Sequence, residues 1–485
     1  MDTSLRRLRV RLVRPLLVAT LVACAADEAE RPPNVVLLIA DDLGYGDVGF
    51  TGGDLPTPEI DRLASDGIAL DRFYCQPKCT PTRAGLLTGR HPIRFGMQHG
   101  VVTPWEEHGL PTTERTLAEA FGEAGYQHRA LFGKWHLGHH EADHHPFAHG
   151  FTEFVGHMNG RIDYFAHTRL EGPGGEPSLD WMRGRELEAR PGRYATELVA
   201  EEAIAFLRRR SADDQPFLLV VPFLAPHWPN QAPPDYVERF RHLPEPRRTF
   251  AAKVASLDSA IGRIRRELDD RGLGRDTLVM FLSDNGADAT KGGSNVPLAG
   301  GKHTPLEGGV RCAAALRLPD RLPAGVRRAS FATYLDVFPT LAHFAGLEAG
   351  EVDGHDRWDQ WATGAHSQVP NELFVFMRGE GGEELIALEN EEFKLVRMGA
   401  EPWSPGAPRG TVRLMRHVED PLERLDCQAA YPKVTAQMLA RLIELRALGT
   451  GPQDPALDVH SVPPAGWTAP PDWRPGAHRG DDGTR

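Results

Sequence analysis

Asn34-Val35-Val36-Leu37-Leu38-Ile39-Ala40-Asp41-Asp42 carries six apolar residues in a row and then two carboxylates. An unbroken run of that length, rich in β-branched residues, reads as a strand covered on both faces, as in a parallel sheet. Phe217 to Phe223 and Thr277 to Leu282 repeat the pattern, the second running into Ser283-Asp284-Asn285-Gly286. Helical periodicity fills about 114–125, 193–210 and 246–272. Strands alternating with amphipathic helices predict an α/β domain with a mostly parallel sheet flanked by helices. Ligands of such sheets gather beyond the carboxyl ends of the strands, so the polar residues there are the ones to inspect.

Beyond residue 370 the pattern changes. Glu372 to Met377, Leu385 to Ala387, Phe393 to Met398 and Val412 to His417 read as short strands of a smaller antiparallel sheet, followed by a helix over 432–447. The predicted organisation is a large α/β domain over 33–365, a small α+β unit over 366–450 and a Pro-rich tail over 451–485. The tail's seven prolines and few apolar residues predict an extended or disordered segment.

The amino terminus reads as a targeting segment. Arg6, Arg7, Arg9, Arg11 and Arg14 precede a short apolar stretch from Pro15 to Ala23, too short to span about 30 Å of hydrocarbon. Leu21-Val22-Ala23-Cys24 has the form of a bacterial lipobox with Cys24 as the lipidated residue; cleavage at the A-x-A-like Ala23-Cys24-Ala25 is the alternative. Residues 1–23 are then an export signal and 24–32 a linker. The expected location is the bacterial periplasm or cell envelope as a lipoprotein, or outside the cell. Any membrane contact runs through a lipid on Cys24.

The chain has 55 Lys+Arg against 67 Asp+Glu, a net charge of −12, and removal of residues 1–23 takes that to −16. Such a surface excludes a nucleic-acid binder, which needs a basic one. Four cysteines remain beyond Cys24, too few for a disulfide scaffold in 485 residues and without zinc-ligand spacing.

Cys79-Thr80-Pro81-Thr82-Arg83 is followed by Ala84-Gly85-Leu86-Leu87-Thr88-Gly89-Arg90. This C-x-P-x-R and L-T-G-R string resembles the signature of the formylglycine-dependent (type I) sulfatases of the alkaline phosphatase superfamily. The resemblance runs from about Pro33 to Pro421, and Gln76 to His99 looks most like the arylsulfatase B, or N-acetylgalactosamine-4-sulfatase, branch. It implies an alkaline-phosphatase-like fold and conversion of Cys79 to Cα-formylglycine by a formylglycine-generating enzyme. A hydrated aldehyde has two hydroxyls on one carbon: one attacks sulfur and the other later expels sulfate, where a plain Ser or Cys would remain as a stable ester. Arg83 lies one helical turn on and can face the same spot.

Asp41-Asp42 and Asp284-Asn285 each follow an apolar run, and hard divalent cations prefer carboxylate and amide oxygens. Alone, Asp41-Asp42-x-Gly44-Tyr45-Gly46-Asp47 reads equally as a turn with helix-capping carboxylates. The resemblance makes Asp41, Asp42, Asp284 and Asn285, with Cys79, the metal site, calcium rather than magnesium. Adjacent strand residues point oppositely, so both aspartates can ligate only if the backbone turns; Gly44 and Gly46 would permit that.

Gly133-Lys134-Trp135-His136 follows another apolar run, and in an extended segment Lys134 and His136 point the same way. The resemblance gives that pair to sulfate and formylglycine, His227 to sulfate and the leaving alcohol, and Lys302 to sulfate. His139, His140, His144, His145 and His149 read as solvated loop histidines, with a zinc site as the rival reading. The three aspartates, a divalent cation and the Arg83, Lys134 and Lys302 charges sum to about +2, suited to one sulfate group inside an acidic body.

The expectation is hydrolysis of sulfate monoesters, on sulfated saccharides more than aryl sulfates, with exo-action on a terminal or isolated sulfate. A phosphate mono- or diester hydrolase of the same superfamily is the nearest alternative; a non-catalytic sulfated-glycan-binding lipoprotein is the alternative from another class. Loops at about 155–195 and 380–410 should set the substrate, with Asn159, Arg161, Asp163, Tyr164 and His167 as candidate contacts. Tyr164 and Trp181 could stack on sugar rings, although packing in the core is the commoner role of aromatics. Cys75 is a departure from related sequences; a Cys75–Cys79 disulfide would block maturation, and a buried free thiol is expected.

Overall fold

In the computed structural model, the described residues are 32–449 except 99, 170–176, 212–214, 379–383 and 400–409. The export signal with its lipobox at Cys24, the Pro-rich tail and parts of both proposed substrate loops lie outside them.

Asn34–Ala40 forms a strand buried at every residue. It lies in a ten-stranded sheet whose spatial order is Val326–Thr333, Ile68–Tyr74, Arg311–Arg317, Thr277–Ser283, Asn34–Ala40, Phe217–Pro222, His128–Lys134, Glu153–His157, Met182–Arg183 and Glu186–Leu187. Only Arg311–Arg317 and Met182–Arg183 run against the others. The sheet is therefore mixed but mostly parallel, and its central strands end at one edge.

The unbroken apolar run follows from burial on both faces. Val35, Leu37 and Ile39 join a core with Leu87, Tyr334 and Phe338 on one side. Val36, Leu38 and Ala40 join another with Phe206, Phe250 and Leu257 on the other. Helix Arg247–Asp270 and helix Ala195–Arg208 lie within two residues of their predicted limits. The helix expected over 114–125 is shorter, Leu117–Glu123, because Thr116 caps it: its hydroxyl accepts the Glu119 N–H and the Glu119 carboxylate accepts the Thr116 N–H.

Leu373–Arg378, Glu384–Glu389, Lys394–Gly399 and Thr411–Met415 form an antiparallel four-stranded sheet. Phe374, Phe376, Ile386, Leu388 and Leu395 pack with Met438 and Leu442 of helix Pro432–Arg446. The opposite face, Leu373, Val375, Ala387 and Met415, belongs to the large sheet's core. No helix among the described residues is long and apolar enough to cross a membrane.

Candidate active site

The parallel register pairs Ala40 with Ser283. The next residues, Asp41-Asp42 and Asp284-Asn285, therefore leave the sheet side by side. The Asp42 N–H donates to Asp284 Oδ1 at 3.3 Å, and Asn285 Nδ2 donates to Asp42 Oδ1 at 2.7 Å. The turn that makes both aspartates face inward is made at Asp42 itself, in the left-handed region with φ 62°, and not at Gly44 or Gly46. Gly44 serves close approach instead, since a Cβ there would lie 2.1 Å from the Ser294 carbonyl oxygen.

Strand Ile68–Tyr74 delivers the chain to the same edge, where Cys79 opens helix Cys79–Thr88. Pro81 is tolerated in its first turn, and Gly89 ends it at φ 67°. All ten residues are buried, so the helix is fixed on every side. Cys79 Sγ approaches Asp41 Oδ1 at 3.3 Å. One turn on, Arg83 donates Nε at 3.0 Å and Nη2 at 2.8 Å to Asp284 Oδ2, and its Nη1 donates to the Lys134 carbonyl. Cys75 and Cys79 are both free thiols; Cys75 is fully buried and its Sγ donates to the Ser283 carbonyl.

Lys134 ends its strand and donates to Asp41 Oδ2 at 2.5 Å. The extended geometry stops there, because His136 has φ 60°. Its ring reaches the cavity through that turn rather than through strand alternation, and Gly160 faces it so closely that a Cβ would lie 2.4 Å from the ring. Lys302 places Nζ 2.6 and 2.8 Å from the two Asp42 oxygens and 3.6 Å from Cys79 Sγ. Its neighbour His303 also has positive φ, 67°. Three of the six non-glycine residues with positive φ among the described residues thus cluster here, where strained backbone commonly marks function.

His227 Nε2 lies 3.6 Å from Asp42 Oδ2. Its Nδ1 sits 2.5 Å from the Trp228 carbonyl, which can only accept, so Nδ1 carries the hydrogen and Nε2 faces the site. Burial holds His227 and His136 well below the ordinary imidazole range, with Lys134 and Lys302 adding to it. Burial pushes Asp41 up to about 7, with Asp284 contributing. Burial acts the same way on Asp42, but Lys302 and His227 overcome it and hold Asp42 well below the carboxylate range. Burial, then Asp284 and Asp41, raise the Cys79 thiol far above its usual value.

The chemistry of these donors suits an oxygen-seeking divalent cation. Ligand atoms of Asp41, Asp42, Cys79 and His227 lie within 4.8 Å of one another. The buried Asn285 Oδ1 has no hydrogen-bond partner, an orphaned acceptor at the same edge. Asp284 is outside that closest group; its oxygens accept from Arg83 and the Asp42 N–H.

A cavity of about 260 Å³ opens over Cys79. His136, His227, Lys302 and His303 line it together with the mostly apolar stretch Val101 to Trp105, and Asn159, Gly160, Arg161 and Arg169 complete the lining. Of the five proposed substrate contacts, only Asn159 and Arg161 line it. Tyr164 is fully buried, stacked on Tyr194 at 5.1 Å, with its hydroxyl donating toward the Leu224 and His227 carbonyls. His167 is buried with Nε2 on the Arg193 carbonyl, and Trp181 packs against its ring. Asp163 accepts from Gln231 and from the Phe165 and Ala166 N–H groups. These residues build the cavity's supports and do not face a substrate.

The histidine tract is corrected for three of its five members, while His140 and His144 are partly exposed. His139, His145 and His149 are fully buried, and burial pushes His145 and His149 down to about 4. His145 sits against Phe147 and Phe154, and His149 against Trp135. Nor do they converge as ligands; the groups able to hold an ion among the described residues contain none of them.

Two supports escaped the sequence reading. Lys253, on helix Arg247–Asp270, donates to the Pro226 and His227 carbonyls and Asn230 Oδ1 at 2.7, 3.0 and 2.8 Å. The signal was present: Lys253 falls between Phe250 and Leu257 on the apolar stripe. Asp180, fully buried, accepts the Met158 and Asn159 N–H groups and the Asn159 amide; it has no local signature.

A family model described as Sulfatase matches residues 33–347. N-acetylgalactosamine-6-sulfatase of Canis lupus familiaris is 36% identical, with 79% of this chain and 74% of that protein covered. Arylsulfatase A of Homo sapiens is also 36% identical, over 69% of each. Among solved structures, Ps i-CgsB in complex with k-i-k-neocarrahexaose superposes with a TM-score of 0.79 at 28% identity, covering 87% of this chain and 94% of the other.

Proposed function

The chain belongs to the sulfatase family and is a sulfuric ester hydrolase, and from that premise we propose that it removes a terminal or isolated sulfate from sulfated saccharides, using Cys79 converted to formylglycine and a calcium ion. The observation that carries the mechanism is the convergence of Asp41, Lys302 and the helix-borne Arg83 on the surroundings of one buried sulfur, Cys79 Sγ. The saccharide reading draws on relatives named for amino-sugar sulfates and on the neocarrahexaose complex of Ps i-CgsB.

Asp41, Asp42, Asp284 and Asn285, with the oxygen at position 79, would hold the cation. When bound, calcium lowers the pKa of an oxygen beside it and offsets charge on a sulfate. Arg83 is oriented by Asp284 and fixes that carboxylate in turn. Lys302 lines the cavity and Lys134 lies buried behind it, their ammonium groups already paired with Asp42 and Asp41 and so costing little reorganisation on sulfate entry. His227, with Nδ1–H committed to Trp228, presents a bare Nε2 that can take up the proton released by the attacking hydroxyl and pass it to the leaving alcohol. His136 borders the sulfate on the side of Gly160.

The test has two arms. Mass spectrometry of the peptide containing Cys79, from protein made in its native host, should show formylglycine; an unmodified thiol would refute the nucleophile. Sulfate and phosphate esters of one aryl alcohol, assayed in parallel, should show sulfate preferred in kcat/KM; a clear phosphate preference would overturn the reaction.

A further inference from the structure

Two arginines line the cavity, Arg169 buried at 2% exposure and Arg161 exposed. Lys302 is matched to Asp42, Lys134 to Asp41 and Arg83 to Asp284. Arg161 has no carboxylate partner among the described residues, and the cavity lining among them contains no Asp or Glu, although the whole chain is at −12. Its guanidinium instead lies 4.8 Å from the centre of the Trp228 ring. This cation–π contact restrains the guanidinium without taking its N–H groups in an ion pair, so they can serve an acceptor.

The platform beneath it is rigid. Asp180 binds the backbone of Met158 and Asn159 and the Asn159 side chain, two residues before Arg161. Trp228 follows His227, whose loop is pinned by Lys253. Arg161 and His227 therefore reach the cavity from two segments that are each locked to buried polar groups, and the stacked pair bridges them.

Resting on the sulfatase reading above, we infer that Arg161 forms a second anion subsite, so that the preferred substrate is a saccharide bearing a second sulfate or a carboxylate on, or next to, the ring that loses sulfate. The reacting sulfate would meet Lys302 and the second anion would meet Arg161, both of which line the cavity. A cavity of about 260 Å³, near the low end of small-molecule sites, suits one ring between two such groups. The planar fork favours a bidentate sulfate or carboxylate over a hydroxyl.

The experiment measures inhibition of 4-nitrophenyl sulfate hydrolysis by N-acetylgalactosamine 4-sulfate, 6-sulfate and 4,6-disulfate, for the wild type, Arg161→Ala and Arg161→Lys. The wild type should bind the disulfate about tenfold or more tightly than either monosulfate. Arg161→Ala should lose most of that ratio, and Arg161→Lys should keep an intermediate value. Reading the ratio within each variant cancels any general loss from misfolding. Equal binding of mono- and disulfates by the wild type, or a ratio surviving in Arg161→Ala, overturns the inference while leaving the sulfatase reading intact. Absence of any 4-nitrophenyl sulfate turnover strikes the reaction itself, and the inference with it.

Discussion

Lys253 Nζ donates to the main-chain carbonyl of His227 at 3.0 Å from a side chain without solvent exposure. With its bonds to Pro226 and Asn230, it satisfies three acceptors of the loop that presents His227. Burial lowers the ammonium to about 7, a cost that its acceptors offset. Lys253→Met keeps the bulk and strands the Pro226 carbonyl and Asn230 Oδ1, each at about 1–3 kcal/mol, while the His227 carbonyl keeps the Tyr164 hydroxyl. We expect kcat to fall at least about tenfold with KM for an aryl sulfate nearly unchanged. Steady-state kinetics decide it, and an unchanged kcat would mean the loop holds itself.

A second charged cluster joins the two sheets. Lys394 Nζ lies 2.7 Å from Glu307, 3.1 Å from Glu389 and 3.1 Å from Glu423, all buried. Glu307, Glu389 and His417 approach closely enough to hold a cation, and Lys394 supplies one. Glu389 is driven well above the carboxylate range by burial and then by Glu307, whereas Lys394 and His417 overcome burial and hold Glu307 down at about 2. Lys394→Met should cost about 3–5 kcal/mol, since it leaves buried carboxylates uncompensated. Glu389→Gln, replacing a group already neutral, should cost under about 1 kcal/mol. Denaturant unfolding of both variants checks the contrast, and comparable losses would contradict it.

The pH dependence of stability carries a signature of Asp258. This side chain accepts the N–H groups of Glu59 and Ile60 with one oxygen, Oδ1, and burial raises it to about 7, with Glu59 and Asp61 adding to the shift. The folded-state value exceeds the unfolded one, so between about pH 4 and 7 the folded chain keeps a proton that the unfolded chain has lost. Stability falls as pH rises through that window. Asp258→Asn keeps an Oδ1 acceptor without the ionisation. Its advantage over the wild type should grow by about 1–3 kcal/mol from pH 5 to pH 8. Unfolding curves at both pH values measure this, and a pH-independent difference would show that Asp258 does not titrate there.

Calcium should act as a stabilising ligand. At a free concentration 100-fold above its Kd, it should add about 2.7 kcal/mol to unfolding. Treatment with a chelator should lower both Tm and activity, calcium should restore both, and Asp284→Asn should blunt the response. A Tm indifferent to calcium in the wild type would remove the ion from the proposal.

What the sequence made legible was local. Six apolar residues before Asp41 state a buried strand, and the same reasoning located Asp284, so parallel pairing brings the two ends together. What it did not make legible depends on which way a side chain points after the chain has crossed the molecule. Tyr164 and His167, candidate contacts in the sequence, pack instead, and Trp181 takes the core-packing role that is the commoner reading for it. Val101 to Trp105 has no motif, yet forms a cavity wall because the Val102 N–H donates to Thr80 Oγ1 beside Cys79. His139, His145 and His149 read as hydrophilic in sequence, but their loop is folded under Trp135, Phe147 and Phe154.

Cys79 is 1% exposed, at the start of a helix buried at all ten positions. A chemical change at its sulfur is therefore a matter of timing. An enzyme that modifies this atom has to reach it while the Cys79–Thr88 segment is still extended, in competition with the packing of Tyr334 and Leu335 against Gly85. If Cys79 is converted as proposed, fast folding would work against that conversion, and the yield of modified molecules would depend on the relative rates of the two processes as well as on the stability of the native state.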